Sequence, residues 1–206
     1  MNLKEYAWIF PSAINSKTCD EIVEYGLQKT LEVARTGDGK NNDTAENSSK
    51  KRKSEVTWLD DRWLYNLIHP YINQANIEAG WNFQWDYSEN IQFTKYGNNQ
   101  HYGWHTDSFP EKYGNVENKN FIGKIRKLSC TVNLSDPKSY EGGDFEIDLR
   151  NSIDYEITPS SILKLNIGKA KGSIIVFPSF VWHRVLPVTK GVRYSLVCWN
   201  IGWPFV

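Results

Sequence analysis

Apolar residues recur at helical spacing near the start of the chain. They follow Thr18 and Glu21, which have the spacing of a capping box. The stripe consists of Ile22, Val23, Gly26, Leu27 and Leu31. This pattern predicts a first helix over residues 18–33, with one apolar face turned towards a core.

A second stripe with the same period lies further along the chain. Its members are Trp63, Leu64, Leu67, Ile68, Tyr71, Ile72 and Ala75. The spacing predicts a second amphipathic helix. Pro70 falls inside this helix and is expected to kink or break it, and Gly80 is the expected C-cap.

The segment between the two stripes, residues 36–54, has no apolar side chain larger than Ala45. Because it cannot contribute to a core, it is predicted to be a mobile loop inside the domain. Its basic run KKRK at 50–53 is offset by nearby acidic residues, which are Asp38, Asp43 and Glu46. We therefore interpret the run as part of a solvated loop rather than as a nucleic-acid site.

After Gly80 the period of the apolar residues changes from helical to two. The predicted strands lie at 81–85, 91–93, 128–134, 145–149, 162–167, 173–177, 181–186 and 192–200. About eight antiparallel strands behind two helices predict a mainly β fold with N-terminal helices, namely a double-stranded β-helix (jelly-roll, cupin-like) barrel that the helices support. We expect a single domain, 1–206, with 1–80 as helical support and 81–206 as the jelly-roll core.

Charge and cysteine content narrow the classes of partner. The 206 residues include 24 Lys and Arg and 24 Asp and Glu, so the formal charge is zero and neither nucleic acid nor an anionic membrane is predicted as a partner. No stretch reaches the roughly 18 apolar residues of a membrane helix.

Cys19, Cys130 and Cys198 are odd in number and far apart. They are predicted to be buried thiols in a reducing compartment, which favours a cytoplasmic location.

The candidate chemistry begins with His105 and Asp107, whose side chains project from one face if the segment is extended. A His-x-Asp pair alone indicates little, because it arises often by chance. His183 lies downstream in the largely apolar segment FPSFVWHRVLPV. Although a buried histidine is usually a hydrogen-bonded core residue, two imidazoles and one carboxylate form the facial triad that holds Fe(II) and leaves coordination positions open. His69 and His101, expected on a helix and a loop, are predicted not to be ligands.

Arg193 lies on the predicted strand VRYSLVCW and is expected to point into the barrel. A buried guanidinium needs an anionic partner. A distant Asp or Glu is one candidate for that partner. A bound dicarboxylate is the favoured one, since the guanidinium fork binds a carboxylate through two hydrogen bonds. Ser195 lies on the same face and can add a hydroxyl to the same carboxylate.

These residues and their surroundings resemble the Fe(II)/2-oxoglutarate-dependent dioxygenases, in particular the prolyl 4-hydroxylase-like branch and the PKHD-type hydroxylases. Three segments carry the resemblance: QFTKYGNNQHYGWHTD at 92–107, LSCTVNLSDPKSYEGGDFEI at 128–147 and GSIIVFPSFVWHRVLPVTKGVRYSLVCW at 172–199. The resemblance implies that His105, Asp107 and His183 bind iron. It also implies that Arg193 holds the distal carboxylate of 2-oxoglutarate.

The resemblance also implies a cosubstrate pocket, lined by Tyr96, Thr131, Asn133, Phe145, Ser195 and Trp199. Asn133 matches a tyrosine that contacts the distal carboxylate in oxygen-sensing prolyl hydroxylases, so this chain is expected to anchor that end differently. For Thr131, Phe145 and Trp199, ordinary strand packing is an equal alternative. The implied cofactors are Fe(II), 2-oxoglutarate and O2, with ascorbate as a further candidate.

The implied activity is hydroxylation of an unactivated C–H, in a prolyl residue of a peptide or protein, coupled to decarboxylation of 2-oxoglutarate to succinate and CO2. Two alternatives remain: a hydroxylase of a free amino acid or another small molecule, and a non-catalytic metal- and dicarboxylate-sensing barrel. Substrate specificity resides in loops, and the sequence does not predict the conformation of these loops. Loop 36–54 is interpreted either as a lid over a peptide substrate or as a dispensable surface insertion.

Overall fold

The structure is a computed structural model that describes residues 5–34, 50–108, 111–114, 116–149 and 161–205. Within these ranges it contains two α-helices, α1 (Ser16–Leu27) and α2 (Arg62–Glu78). The strands of the same ranges are β1 (Trp8–Phe10), β2 (Glu32–Val33), β3 (Arg52–Lys53), β4 (Glu55–Leu59), β5 (Tyr87–Ser88), β6 (Ile91–Tyr96), β7 (His101–His105), β8 (Ile125–Asn133), β9 (Tyr140–Gly142), β10 (Phe145–Asp148), β11 (Ile162–Lys164), β12 (Ile174–Pro178), β13 (Trp182–Val185), β14 (Val188–Gly191) and β15 (Arg193–Gly202). The prediction of a mainly β chain is confirmed.

Helix α1 begins and ends earlier than its apolar stripe predicted. The side chain of Asn15 accepts a hydrogen bond from the Thr18 backbone N–H, so Asn15 is the N-cap and the predicted capping box is wrong. The helix ends at Leu27, and β2 pairs with β4 through Glu32 opposite Val56. Pairing with a neighbouring strand outweighs the helical pattern of the last predicted turn.

Helix α2 runs through Pro70 without a break, so of the two expected effects the break is wrong and the kink stays a prediction. Three of its side chains, those of Leu64, Ile68 and Ile72, are completely buried. Their burial in the core stabilises the helix against the missing backbone hydrogen bond. The predicted stop signal is present, since Gly80 follows the C-cap with φ of +70°.

Antiparallel pairing joins all the strands. A large sheet has the order β1-β12-β8-β15-β6-β4-β2, with β5 also paired to β15. A smaller sheet has the order β11-β10-β13-β7-β3, and β14 pairs with β9 as a separate ribbon. The predicted strand at 81–85 is absent. The backbone there is irregular, and the side chains of Trp81 and Phe83 pack into the core.

The predicted loop 36–54 requires a partial correction. Residues 36–49 lie outside the described residues. Residues 52–53, by contrast, form β3, which pairs with β7, and Arg52 is buried. The interpretation of KKRK as a solvated loop is therefore wrong for Arg52, because tertiary pairing brings it into the small sheet.

Both faces of the large sheet are buried. Alternate residues of β8, β12 and β15 pack against the two helices: Leu128, Cys130, Val132, Ile174, Val176, Leu196 and Cys198. The intervening residues face the small sheet, where Ile175 and Phe177 join a second core with Ile147 and Val185. Polar groups from both sheets therefore meet in the space between them.

The three cysteines are buried and free, as predicted. Burial raises the pKa of the Cys198 thiol to about 12, which keeps it protonated. Among the residues described, neither helix has the length and apolar content that a transmembrane segment requires. The single-domain organisation and the cytoplasmic location remain predictions.

Helix α1 packs closely against the large sheet at Gly26. A Cβ atom added there would lie 2.7 Å from the ring of Phe93, which is completely buried on β6. Phe93 in turn stacks on Tyr194, with ring centroids 5.8 Å apart. Since β6 and β15 also carry Tyr96 and Arg193, this contact supports the strands that supply the candidate site.

We expect Gly26→Val to lower the free energy of unfolding by about 1–3 kcal/mol, because the added methyl groups overpack the ring of Phe93. Urea denaturation measures the loss. Glu24→Val, on an exposed position of the same helix, is the matched control, and its propensity penalty should stay below about 0.7 kcal/mol. Equal losses in the two variants would contradict the close packing at Gly26.

Candidate active site

Three potential metal ligands converge between the two sheets. His105 ends β7, and His183 lies directly opposite it on β13. Asp107 follows two residues after His105, where its backbone N–H donates to the Ser179 carbonyl. All three side chains are buried, and one ligand atom from each lies within 4.8 Å of the others.

Backbone carbonyls orient both imidazoles. The Nδ1 atom of His105 lies 2.8 Å from the Gly103 carbonyl oxygen, and Nδ1 of His183 lies 2.9 Å from that of Val181. Because a carbonyl only accepts, the ring proton is on Nδ1 and the Nε2 lone pair is free. The two Nε2 atoms lie 3.7 and 3.5 Å from the two carboxylate oxygens of Asp107.

The protonation states suit a cation. Burial, and then the nearby His183, hold the pKa of His105 well below its usual value, so its imidazole is neutral. Burial by itself would raise the pKa of Asp107. The neighbouring His183, His105 and Arg126 together with a Ser129 hydrogen bond outweigh that effect and lower the pKa, so the carboxyl is ionised. A neutral imidazole at His105 and an ionised carboxylate at Asp107 are the forms that coordinate a divalent metal.

Aromatic side chains hold the imidazoles in place. Tyr102 stacks on His105 with ring centroids 3.5 Å apart. Phe177 meets His183 edge-on at 4.6 Å, and Phe145 lies 5.6 Å from the same ring. These contacts leave the rings little rotational freedom.

The same space contains most of the residues predicted to form a cosubstrate pocket. A cavity that opens to solvent is lined by the three candidate ligands and by Tyr96, Thr131, Phe145, Arg193, Ser195 and Trp199. Asn133 does not line this cavity. It lines an adjoining, smaller cavity, which shares Thr131, Phe145 and Arg193 with the first.

Arg193 is almost fully buried, with 4% of its surface exposed. Its Nη1 donates to Oγ of Ser195 at 3.2 Å, and its guanidinium carbon lies 5.6 Å from the ring centroid of Tyr96. Among the described residues, no acidic side chain pairs with it. The sequence left two partners open for Arg193, an acidic side chain and a bound dicarboxylate. The described residues do not provide the acidic side chain.

Sequence reasoning missed a buried ion pair next to the candidate ligands. Arg126 donates from Nε and Nη2 to the two carboxylate oxygens of Glu89, both at 2.6 Å. Its guanidinium lies 4.1 Å from the ring centroid of Trp199, and Tyr113 also donates to Glu89 at 2.7 Å. No local pattern in the sequence pairs Arg126 with Glu89, which is 37 positions away. The position of Arg126 at the start of an apolar strand pattern is the one signal that could have indicated a buried charge.

Arg52 is a second residue that the sequence did not reveal. It is 6% exposed, lines the larger cavity, and its guanidinium lies 4.6 Å from the ring centroid of Tyr102. Its Nε donates to the hydroxyl of Ser54 at 3.0 Å. By contrast, the two remaining histidines lie outside this cavity: His69 on α2 bonds Ser88, and His101 begins β7 rather than lying in the predicted loop.

The fold and the donor set define a class of protein. Two imidazole nitrogens and one carboxylate, between antiparallel sheets and beside a buried arginine, match the donor set of the facial metal site of non-haem iron oxygenases. Sequence comparison agrees, since the sequence model of the 2OG-Fe(II) oxygenase superfamily matches residues 91–200. The chain belongs to this superfamily, and membership implies Fe(II), 2-oxoglutarate and O2 as its cofactor and cosubstrates.

Curated relatives narrow the likeness to hydroxylases. The PKHD-type hydroxylases YbiX of Shigella boydii serotype 18 and of Escherichia coli K12 are 32% identical to this chain over 108 residues. The match covers 52% of this chain and 40% of each relative, so the chain spans less than half the length of the curated relatives that it matches.

Solved structures share the fold over nearly the whole chain. A viral collagen prolyl hydroxylase from Paramecium bursaria Chlorella virus-1 has a TM-score of 0.66 at 18% identity, with 97% of each chain covered. A Pseudomonas putida prolyl-4-hydroxylase has a TM-score of 0.65 at 16% identity, with 96% of this chain and 92% of that one covered. A Trichoplax adhaerens prolyl hydroxylase gives 0.65 and 16%, with 96% and 84% covered. The resemblance to prolyl 4-hydroxylase-like enzymes is confirmed.

The ion pair beside Trp199 leads to a stability prediction. We expect Glu89→Gln to lower the free energy of unfolding by about 3–5 kcal/mol, because it leaves the Arg126 charge buried without its partner. Chemical denaturation is the measurement. Glu55→Gln breaks a half-exposed ion pair with Lys95 and should cost less than about 1 kcal/mol. A Glu89 variant as stable as the Glu55 variant would contradict a structural role for the buried pair.

Proposed function

We propose that this protein is an Fe(II)- and 2-oxoglutarate-dependent dioxygenase that hydroxylates an unactivated C–H bond. The observation that carries the proposal is the convergence of His105 Nε2, His183 Nε2 and the Asp107 carboxylate in a cavity that also holds Arg193. A metal site alone would fit many functions. A buried guanidinium beside it, with no acidic partner among the described residues, adds a place for a dicarboxylate.

His105, Asp107 and His183 would hold the iron. The set suits Fe(II), because two imidazoles and one carboxylate leave three further coordination positions for a cosubstrate and O2. The carbonyls of Gly103 and Val181 add a second layer of support, since they fix which nitrogen of each imidazole faces the metal.

Arg193 and Ser195 would bind the carboxylate of 2-oxoglutarate that is remote from its oxo group. Ser195 accepts from Arg193 and therefore has its own hydroxyl proton available for a second acceptor. When bound, iron and 2-oxoglutarate supply the oxidising power that inserts oxygen from O2 into a C–H bond, with succinate and CO2 as coproducts.

The rest of the cavity would exclude water and position the reactants. Phe145, Phe177 and Val197 give it apolar walls. Trp199 lines the cavity with an Nε1–H that has no hydrogen-bond partner among the described residues, so this group is free to donate to a bound molecule. Arg126, stacked on the same indole, would hold its orientation.

The proposed architecture is a double-stranded β-helix, formed by the two facing sheets with α1 and α2 behind the large one. We propose a prolyl residue in a peptide or protein as the substrate. The structural neighbours named prolyl hydroxylases support this choice, and the Trichoplax adhaerens protein is in complex with a peptide fragment of the hypoxia-inducible factor oxygen degradation domain.

Removing a ligand tests the metal site. We expect His183→Ala and Asp107→Ala each to lower iron affinity by more than the roughly 10- to 100-fold that loss of an outer-layer partner costs, and to abolish turnover. Iron content after anaerobic reconstitution is the measurement, with circular dichroism as the check on folding. His69→Ala, which removes a half-buried imidazole outside the cavity, should retain iron. Full iron content in the His183 variant would refute the assignment.

Peptide hydroxylation needs a separate test. Peptides from a host lysate are incubated with the enzyme and analysed by mass spectrometry for the gain of one oxygen atom. We expect such a gain on prolyl residues only when active enzyme and 2-oxoglutarate are both present, with the Asp107→Ala protein as the control. Turnover of free amino acids or other small molecules without any modified peptide would replace the peptide substrate with a small one. Iron and 2-oxoglutarate binding without turnover of any substrate would indicate a sensing module.

A further inference from the structure

The cavity beside Arg193 contains a second polar group that the proposed mechanism does not use. Tyr140, on β9, is 3% exposed, and its hydroxyl has no hydrogen-bond partner among the described residues. Leaving a buried hydroxyl unsatisfied is destabilising, so such a group generally has a partner that binds there. Tyr140 and Arg193 line the same small cavity, which adjoins the one that holds the candidate metal ligands.

The double glycine after β9 brings these two side chains together. Gly142 and Gly143 both have positive φ, +74° and +61°, a conformation that glycine adopts without strain. A Cβ atom on Gly143 would lie 3.0 Å from Cδ of Arg193 and 3.2 Å from Cε2 of Tyr140. The absence of a side chain at Gly143 therefore lets the phenol and the arginine pack over the same backbone atom.

Asn133 cannot supply a donor to this cavity in place of Tyr140. Its Nδ2 lies 2.9 Å from the carbonyl oxygen of Ser135, 2.7 Å from that of Lys169 and 3.5 Å from that of Ala170. These acceptors occupy both amide protons and fix the orientation of the amide. Only Oδ1 remains, and it is an acceptor without a partner among the described residues.

The charge of the cavity favours an anion. Within the described part of the chain, its lining includes the cations Lys164, Lys169 and Arg193 and one acidic residue, Asp144. Asp144 pairs with both lysines, at 2.7 and 2.8 Å, which leaves Arg193 as the cation without an acidic partner among the described residues. A carboxylate accepts about four hydrogen bonds, more than the fork of one arginine supplies.

We propose that the phenol of Tyr140 donates a hydrogen bond to the distal carboxylate of 2-oxoglutarate and, with Arg193, selects a dicarboxylate over a monocarboxylate. This inference rests on the proposed function. It assigns a cosubstrate contact to a strand outside both main sheets. The side chain lies on the β9–β14 ribbon, where Tyr140 is opposite Gly191.

The test measures binding rather than turnover. Protein loaded with Mn(II), which accepts the same oxygen and nitrogen ligands, is titrated by calorimetry with 2-oxoglutarate and with 2-oxovalerate, which has the same carbon chain but no distal carboxylate. We expect Tyr140→Phe to raise the Kd for 2-oxoglutarate by about 10- to 100-fold, the loss of one hydrogen bond to a charged group. The Kd for 2-oxovalerate should change by less than about twofold, because that ligand never makes the contact.

Two further variants separate the possible failures. Tyr71→Phe removes a phenol hydroxyl that donates to the Ala13 carbonyl far from the cavity, and it should bind both ligands as the parent does. Arg193→Met should weaken 2-oxoglutarate alone. If Arg193→Met weakens binding but Tyr140→Phe does not, or if Tyr140→Phe weakens both ligands equally, the Tyr140 assignment is wrong. A parent protein that binds Mn(II) but no 2-oxoglutarate overturns both this assignment and the proposed function.

Discussion

Burial of both faces of the large sheet is the constraint on which the rest of the structure depends. The helices cover one face and the small sheet covers the other, so neighbouring residues on β8, β12 and β15 enter different environments. Residues on the helix side are apolar and close-packed. Residues on the other side include Ser129, Thr131 and Ser195, which would be destabilising there unless partners or a ligand satisfied them. The two sheets therefore enclose buried polar groups between apolar walls, and the candidate site lies among them.

Between the two sheets, some buried polar side chains have hydrogen-bond partners and others have none. This difference distinguishes the side chains that support the site from those available to a ligand. The Nδ1 atoms of His105 and His183 are bound to carbonyls, and Arg126 is neutralised by Glu89. These interactions hold the side chains in place and leave Nε2 of each imidazole available for a metal. The buried side-chain atoms without partners among the described residues belong to Asn133, Tyr140 and Trp199, and all three residues line the two adjoining cavities. Unsatisfied polar groups concentrate where a charged ligand would replace water.

Predictions from the sequence were accurate where local interactions determine the structure and failed where distant segments determine it. Apolar periodicity placed both helices and most strands, because the period reports which face is buried. It failed at β2, at residues 81–85 and at β3, where pairing or packing with distant segments determines the backbone. Arg52 shows the limit most clearly. In the sequence it belongs to a basic run between polar residues, yet pairing of β3 with β7 buries it beside Tyr102.

The sequence by itself predicted the candidate chemistry from a His-x-Asp pair, a later histidine and an arginine, and it showed a family resemblance that the comparison confirmed. Those inferences needed only residue type and local period. Only the tertiary structure decided which groups meet, because Tyr140, Glu89 and Arg52 reach their partners through strand pairings and glycine turns that join distant segments. Local patterns carry no information on such distances. Satisfaction of a buried polar atom depends on every neighbour around it, so a Tyr140 hydroxyl without a hydrogen-bond partner among the described residues became visible only in the folded chain.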